Sequence, residues 1–165
     1  MQIGTYLGML HGSEAELARA YRVVAKQHAA EPDIEHECTL FASWCDEHVL
    51  KLEPFVQQHG ERSRDLGMMR FLFRDAAALA HEGSLMLVTL RHLHHLWLMA
   101  QESHISWLII EQAAQGLRNE SLELTCQEAQ ARNHLQVAWL KSRIKQSAPQ
   151  TLIVSDTAGR TILAP

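Results

Sequence analysis

The sequence predicts an all-α protein, folded as an up-down four-helix bundle with a long crossover between helices two and three. Three observations carry that prediction. Apolar residues recur at steps of three and four in four separate segments, the spacing of a helix face. The breaks near residues 30 and 118 are short, which makes their flanking helices antiparallel neighbours, whereas the connection from 60 to 83 is long. Finally, Glu14, His48, Glu102 and His134 fall one to a segment, on or near the apolar stripe.

In the first segment Leu7, Leu10, Glu14, Leu17, Tyr21 and Val24 form one face, apolar except for Glu14. Gly4, Gly8 and Gly12 lie on another face, where they permit close approach of a neighbouring backbone. Ser13 with Glu16 also fits a capping box that would start the helix at Ser13. The stripe continues upstream through Leu10 and Leu7, which favours the longer helix. Glu31-Pro32-Asp33 breaks the chain and starts the second helix, whose stripe is Ile34, Cys38, Phe41, Cys45, His48, Leu52 and Phe55, with Gly60 as its end.

Residues 60 to 83 form the connection, with a short helix expected around Asp75 to His81. The third helix follows Gly83-Ser84 with the stripe Leu87, Leu90, His94, Leu98, Glu102, Ile105 and Ile109. After the break at Gly116 to Asn119, the fourth helix runs from about Glu120 to Lys145, with Leu124, Ala131, His134, Val137 and Ala138 near one face. Pro149 closes the helical part, and the β-prone runs Thr151 to Val154 and Thr161 to Leu163 suggest a short hairpin or packed tail. The chain thus divides into a bundle domain, residues 1–146, and a C-terminal extension, residues 147–165.

At 165 residues, 47% hydrophobic and 21% charged, the chain is long enough for one domain with a sizeable core. A net charge of −4 offers no electrostatic basis for binding nucleic acid. No membrane span is expected, because the most apolar stretch, Leu85 to Ala100, is interrupted by Arg91, His92, His94 and His95. The N-terminus lacks the positive start of a signal peptide, so a cytoplasmic location is expected. Cys38, Cys45 and Cys126 are odd in number and show no CxxC spacing, which points to buried free thiols.

A buried carboxylate or imidazole is costly unless paired or metal-bound. Glu14 precedes His48 by 34 residues and Glu102 precedes His134 by 32, so two similar Glu–His pairs meet in two helical hairpins. Ferritin-like di-iron proteins place one Glu on each of two helices and Glu-x-x-His on each of the other two. This chain resembles that four-helix-bundle superfamily over residues 3 to 146, with a degenerate di-iron carboxylate motif. The resemblance implies that Glu14 and Glu102 match the carboxylates of helices one and three, and His48 and His134 the histidines of helices two and four. Cys45 and Ala131 stand where the two bridging glutamates belong, so the full di-iron centre is not expected.

What the resemblance then implies is a bundle protein of undefined role that leans away from enzyme activity. Glu14, His48, Glu102 and His134, with Cys45 as a fifth ligand, could hold one divalent ion: iron, manganese or zinc. The same residues could equally satisfy one another without metal. Two other classes stay open: an active metal-dependent oxidoreductase or iron-handling protein, and a homodimeric interaction module without a ligand.

The remaining signals have bland explanations. Glu128, Asp46 and Glu47 suit the surface, and of His92, His94 and His95 only His94 joins the expected core stripe. Cys45 and His48 share a helix face, yet a buried mid-helix thiol is ordinarily inert. Met68, Met69, Phe71, Leu72 and Phe73 cover the bundle or dock a partner. Trp97, Trp107 and Trp139 exceed what one stripe buries, which predicts a homodimer through helices three and four.

Overall fold

The computed structural model describes residues 2–59 and 85–154. Among them it is all-α, with four long helices: α1 Gln2–Gln27, α2 Pro32–Gln58, α3 Leu85–Leu117 and α4 Glu120–Pro149. The expected short helix near residue 78, the apolar group at 68–73 and the second β-prone run lie outside the described residues. No described helix is long and apolar enough to cross a membrane.

Local chemistry accounts for the helix ends. Pro32 occupies the first turn of α2, where its missing N–H costs nothing. Asn119 caps α4, its side-chain oxygen accepting from Leu122 N at 3.1 Å. Helix α1 starts at Gln2, well upstream of Ser13, and buries Gly4, Gly8 and Gly12. The β-prone run at Thr151 does not form a strand: Gln150–Val154 continues α4 as a π-helical turn. Pro149 has no N–H to return to the preceding turn, and a widened register carries the chain past it.

Cross-helix contacts set the directions. Ser13 meets Glu102 while His28 meets His92, so α1 and α3 are antiparallel. Asp33 pairs with Arg143, Glu47 with Arg132 and Lys51 with Glu128, so α2 and α4 are antiparallel as well. With short turns inside each hairpin, α2 and α3 run the same way. The end of α2 and the start of α3 therefore lie at opposite ends of the bundle.

The core faces of α1 and α2 are those the spacing predicts. Leu7, Leu10, Glu14, Leu17, Tyr21 and Val24 are all buried, as are Ile34, Cys38, Phe41, Cys45, His48 and Leu52. The other two helices are rotated from expectation. Helix α3 buries Thr89, Leu93, Leu96, Ala100, Ser103, Trp107, Ile110 and Ala114, and leaves Leu98, Ile105 and Ile109 at the surface. Helix α4 buries Leu122, Cys126, Ala129, Asn133, Gln136 and Leu140, so Leu124, Ala131, His134 and Ala138 face outward. Trp107 is fully buried and Trp97 and Trp139 pack half-buried against the core, which removes the tryptophan argument for a dimer.

The rotation of α3 also reverses the histidine assignment: His92 and His95 are buried and His94 is exposed. His92 Nδ1 lies 2.9 Å from His28 Nε2, and the rings meet edge to face at 5.2 Å. On its other side, His28 Nδ1 meets Glu31 Oε1 at 3.1 Å and Thr89 Oγ1 at 3.3 Å. Glu31 is bridged by Arg143 of α4, which also pairs with Asp33 of α2. One polar knot thus ties all four helices near the α1–α2 turn.

Burial, with the charges of His28 and His95, lowers the His92 pKa to about 4. The unfolded chain, with an ordinary histidine pKa of about 6.5, binds the proton that the folded chain refuses. Stability contributed by neutral His92 is therefore complete above pH 6.5 and is lost as pH falls towards about 4. The whole effect is about 3 kcal/mol. Urea denaturation between pH 7 and pH 4 is expected to show this decline, and His92→Gln to flatten it; parallel profiles for the two proteins would contradict the assignment.

Candidate metal centre

Midway along the bundle, a polar layer draws side chains from all four helices. Glu14 comes from α1, Cys45 and His48 from consecutive turns of α2, Ser103 and Trp107 from α3, and Asn133 and Gln136 from α4. Every one of these seven side chains is buried. The i,i+3 spacing of Cys45 and His48 is repeated by Asn133 and Gln136, so each pair points from one helix face into the layer.

Glu14 is the centre of the layer, with no exposed surface. Its Oε2 accepts from His48 Nδ1 at 2.9 Å, and its Oε1 accepts from Trp107 Nε1 at 2.9 Å and from Ser103 Oγ. Burial would push the carboxyl group up. The hydrogen bond and charge of His48, with the hydrogen bonds from Ser103 and Trp107, outweigh it and hold the group below its ordinary range. Glu14 is thus a buried carboxylate, made tolerable by donors from two neighbouring helices.

The layer closes on its other side through amides. Asn133 Nδ2 is 3.3 Å from both Ser103 Oγ and Gln136 Oε1, and 3.1 Å from Ala100 O. Gln136 Nε2 donates to Cys45 Sγ at 3.5 Å. Burial, then the charge of Glu14, raises the Cys45 thiol well above its usual range, so without a cation it stays protonated and unreactive. All three described cysteines are buried and free, as their spacing predicts.

The donor atoms of Glu14, Cys45 and His48 lie within 4.8 Å of one another, so the three could hold a metal ion. Two polar atoms of the layer have no hydrogen-bond partner: His48 Nε2 and Asn133 Oδ1. With Nδ1 of His48 bonded to Glu14, Nε2 is the ring nitrogen left without a partner. Trp107 backs the same ring edge to face at 5.5 Å.

Of the five residues expected at the centre, Glu14, Cys45 and His48 converge, and Glu102 and His134 do not join them. Glu102 is half-buried on the flank of α3, where it accepts from Ser13 Oγ at 2.7 Å and Ser106 Oγ at 3.2 Å. His134 is exposed on the outer face of α4, because that helix turns Asn133 inward instead. Glu128, Glu47 and Asp46 form surface pairs with Lys51, Arg132 and Arg22. Sequence reasoning missed Ser103, Asn133 and Gln136. The usable signal for the amides is the unbroken three-four repeat Leu122, Cys126, Ala129, Asn133, Gln136, Leu140.

Comparison of the chain with protein-family models, characterised proteins and solved structures gives no match. The site is therefore read from its own residues.

Glu14→Ala strands His48, Ser103 and Trp107 without their acceptor. It is expected to cost about 3–5 kcal/mol, the range for breaking a buried ion pair. His134→Ala, at the surface, is expected to change stability by less than about 0.5 kcal/mol. Equilibrium urea unfolding of the two variants checks both; a costly His134→Ala would show that α4 presents another face.

Proposed function

We propose that this chain is a helical-bundle protein whose interior holds a single divalent cation, through Glu14, Cys45 and His48. The observation that carries the reading is the convergence of three buried donors of different types, whose ligand atoms lie within 4.8 Å of one another. A thiol, an imidazole and a carboxylate favour zinc or iron(II) over manganese, whose preference is for oxygen donors. Loss of the Cys45 proton on binding would give, with Glu14, two negative charges, which balance one dication. Asn133 and Gln136 are neutral, so they add no charge for a second ion.

We further propose that the architecture is a degenerate ferritin-like one. Supporting this are the shared direction of α2 and α3 and the matching i,i+3 pairs on α2 and α4. Cys45 and His48 take the places of Glu-x-x-His on α2, and Asn133 and Gln136 take them on α4. A lone cation without bridging carboxylates lacks the paired-metal arrangement of an oxidase, so the reading is binding, not oxidation.

A second reading has its own observation: Glu14 already accepts three hydrogen bonds, so the layer can persist as a polar lock with no ion. Refolding the protein with excess zinc or cobalt(II), followed by dialysis and metal analysis, separates the two. The expected outcome is one ion per chain and, for cobalt, a near-ultraviolet thiolate charge-transfer band. Cys45→Ser should remove the band, His48→Ala should abolish retention, and His134→Ala should alter neither. Folded protein that retains no zinc, iron or cobalt would establish the polar lock.

A further inference from the structure

The hydrogen bonds of the polar layer have a direction, and α3 sets it. Ala100 O is a backbone carbonyl and can only accept; it lies 3.1 Å from Asn133 Nδ2. Ser103 Oγ, 3.3 Å from the same nitrogen, gives its own hydrogen to Glu14 Oε1, so it too faces Asn133 as an acceptor. Two acceptors on one side leave the Asn133 amide a single orientation, with its N–H groups turned toward α3.

The orientation passes along α4 to the next amide. Asn133 Nδ2 is 3.3 Å from Gln136 Oε1, the one atom of that side-chain amide able to receive a hydrogen. With its oxygen turned to Asn133, Gln136 has its other end committed, and Nε2 donates to Cys45 Sγ at 3.5 Å. Gln136 is fully buried and Asn133 is 1% exposed, so water does not compete for either amide.

We infer that Gln136 is a positioning residue of the metal site, oriented by Asn133 so that its N–H and not its oxygen faces Cys45 Sγ. A thiol can donate or accept, so a glutamine alone beside it would have no reason to choose between its two ends. Asn133, at i,i+3 on the same helix face, makes the choice. Given a cation held by Glu14, Cys45 and His48, the reading on which this inference rests, Gln136 is not a ligand. It supports the sulfur instead. A neutral thiol accepts weakly and a metal-bound thiolate strongly, so the bond contributes more with the ion in place than without it. That difference appears as affinity, and a partner behind a ligand is worth about 10–100-fold.

The full chain loaded with cobalt(II) tests this. Gln136→Met keeps the length of the side chain and loses the donor. Asn133→Leu leaves Gln136 in place and removes what orients it. In both variants the thiolate-to-cobalt band is expected to move to longer wavelength, because the sulfur no longer shares its charge with an N–H. Zinc affinity, measured by competition with a chelator, is expected to fall about 10–100-fold. Ser106→Ala, whose hydroxyl bonds Glu102 outside the layer, should change neither. A merely structural role would lower the urea midpoint and leave the band where it is. Helical circular dichroism checks that each variant folds, and Gln136→Leu serves should Gln136→Met not do so. Folded, loaded variants with the wild-type band and affinity would overturn the inference and leave the metal site standing. A shift at position 136 alone would overturn the part given to Asn133. Wild-type protein that takes up no cobalt would overturn the inference together with the reading beneath it.

Discussion

The buried carboxylate of Glu14 is the constraint on which the arrangement of the other helices depends. An isolated charge in a packed interior is costly, and it persists only where donors converge on it. Helix α1 cannot supply them, since its own face is Leu10, Leu17 and Tyr21. The donors come from His48 on α2 and from Ser103 and Trp107 on α3, and the amides of α4 then close the layer behind Ser103. Each of these contacts fixes not only the distance of a helix but its rotation about its own axis.

That rotation explains why α3 shows solvent its most aliphatic stripe. Its inner face carries Leu93, Leu96, Trp107 and Ile110 and its outer face Leu98, Ile105, Leu108 and Ile109, so apolar side chains alone barely distinguish the two. Hydrogen bonds to a charged group, at about 1.5–3 kcal/mol each, are enough to decide between two such faces. Only the inner face carries a hydroxyl and an indole N–H opposite Glu14.

The same reasoning divides what could be read in the sequence from what could not. Helices α1 and α2 each have one apolar stripe, so Glu14, Cys45 and His48 were legible as interior residues and do meet. Helix α3 has two stripes of equal periodicity, and periodicity alone selects the richer in Leu and Ile, which is the outer one. With it went Glu102 and the choice of His94 over His92 and His95. In α4 the inner stripe contains Asn133 and Gln136, and amides count against burial until their partners are known. Those partners sit on other helices, so His134 looked the better candidate until α3 and α4 were seen together.

A bundle organised around a charge ends with a surplus of apolar surface, because the face chosen for its polar groups is not the face richest in carbon. The surplus on α3 runs from Leu98 to Ile109, with Glu102 beside it, more than scattered surface leucines would make. Exposed faces of this kind either associate without order or are matched by a defined partner. The two faces of α3 do not compete: the side facing Glu14 supplies Ser103 and Trp107 to the polar layer, and the opposite side takes no part in it.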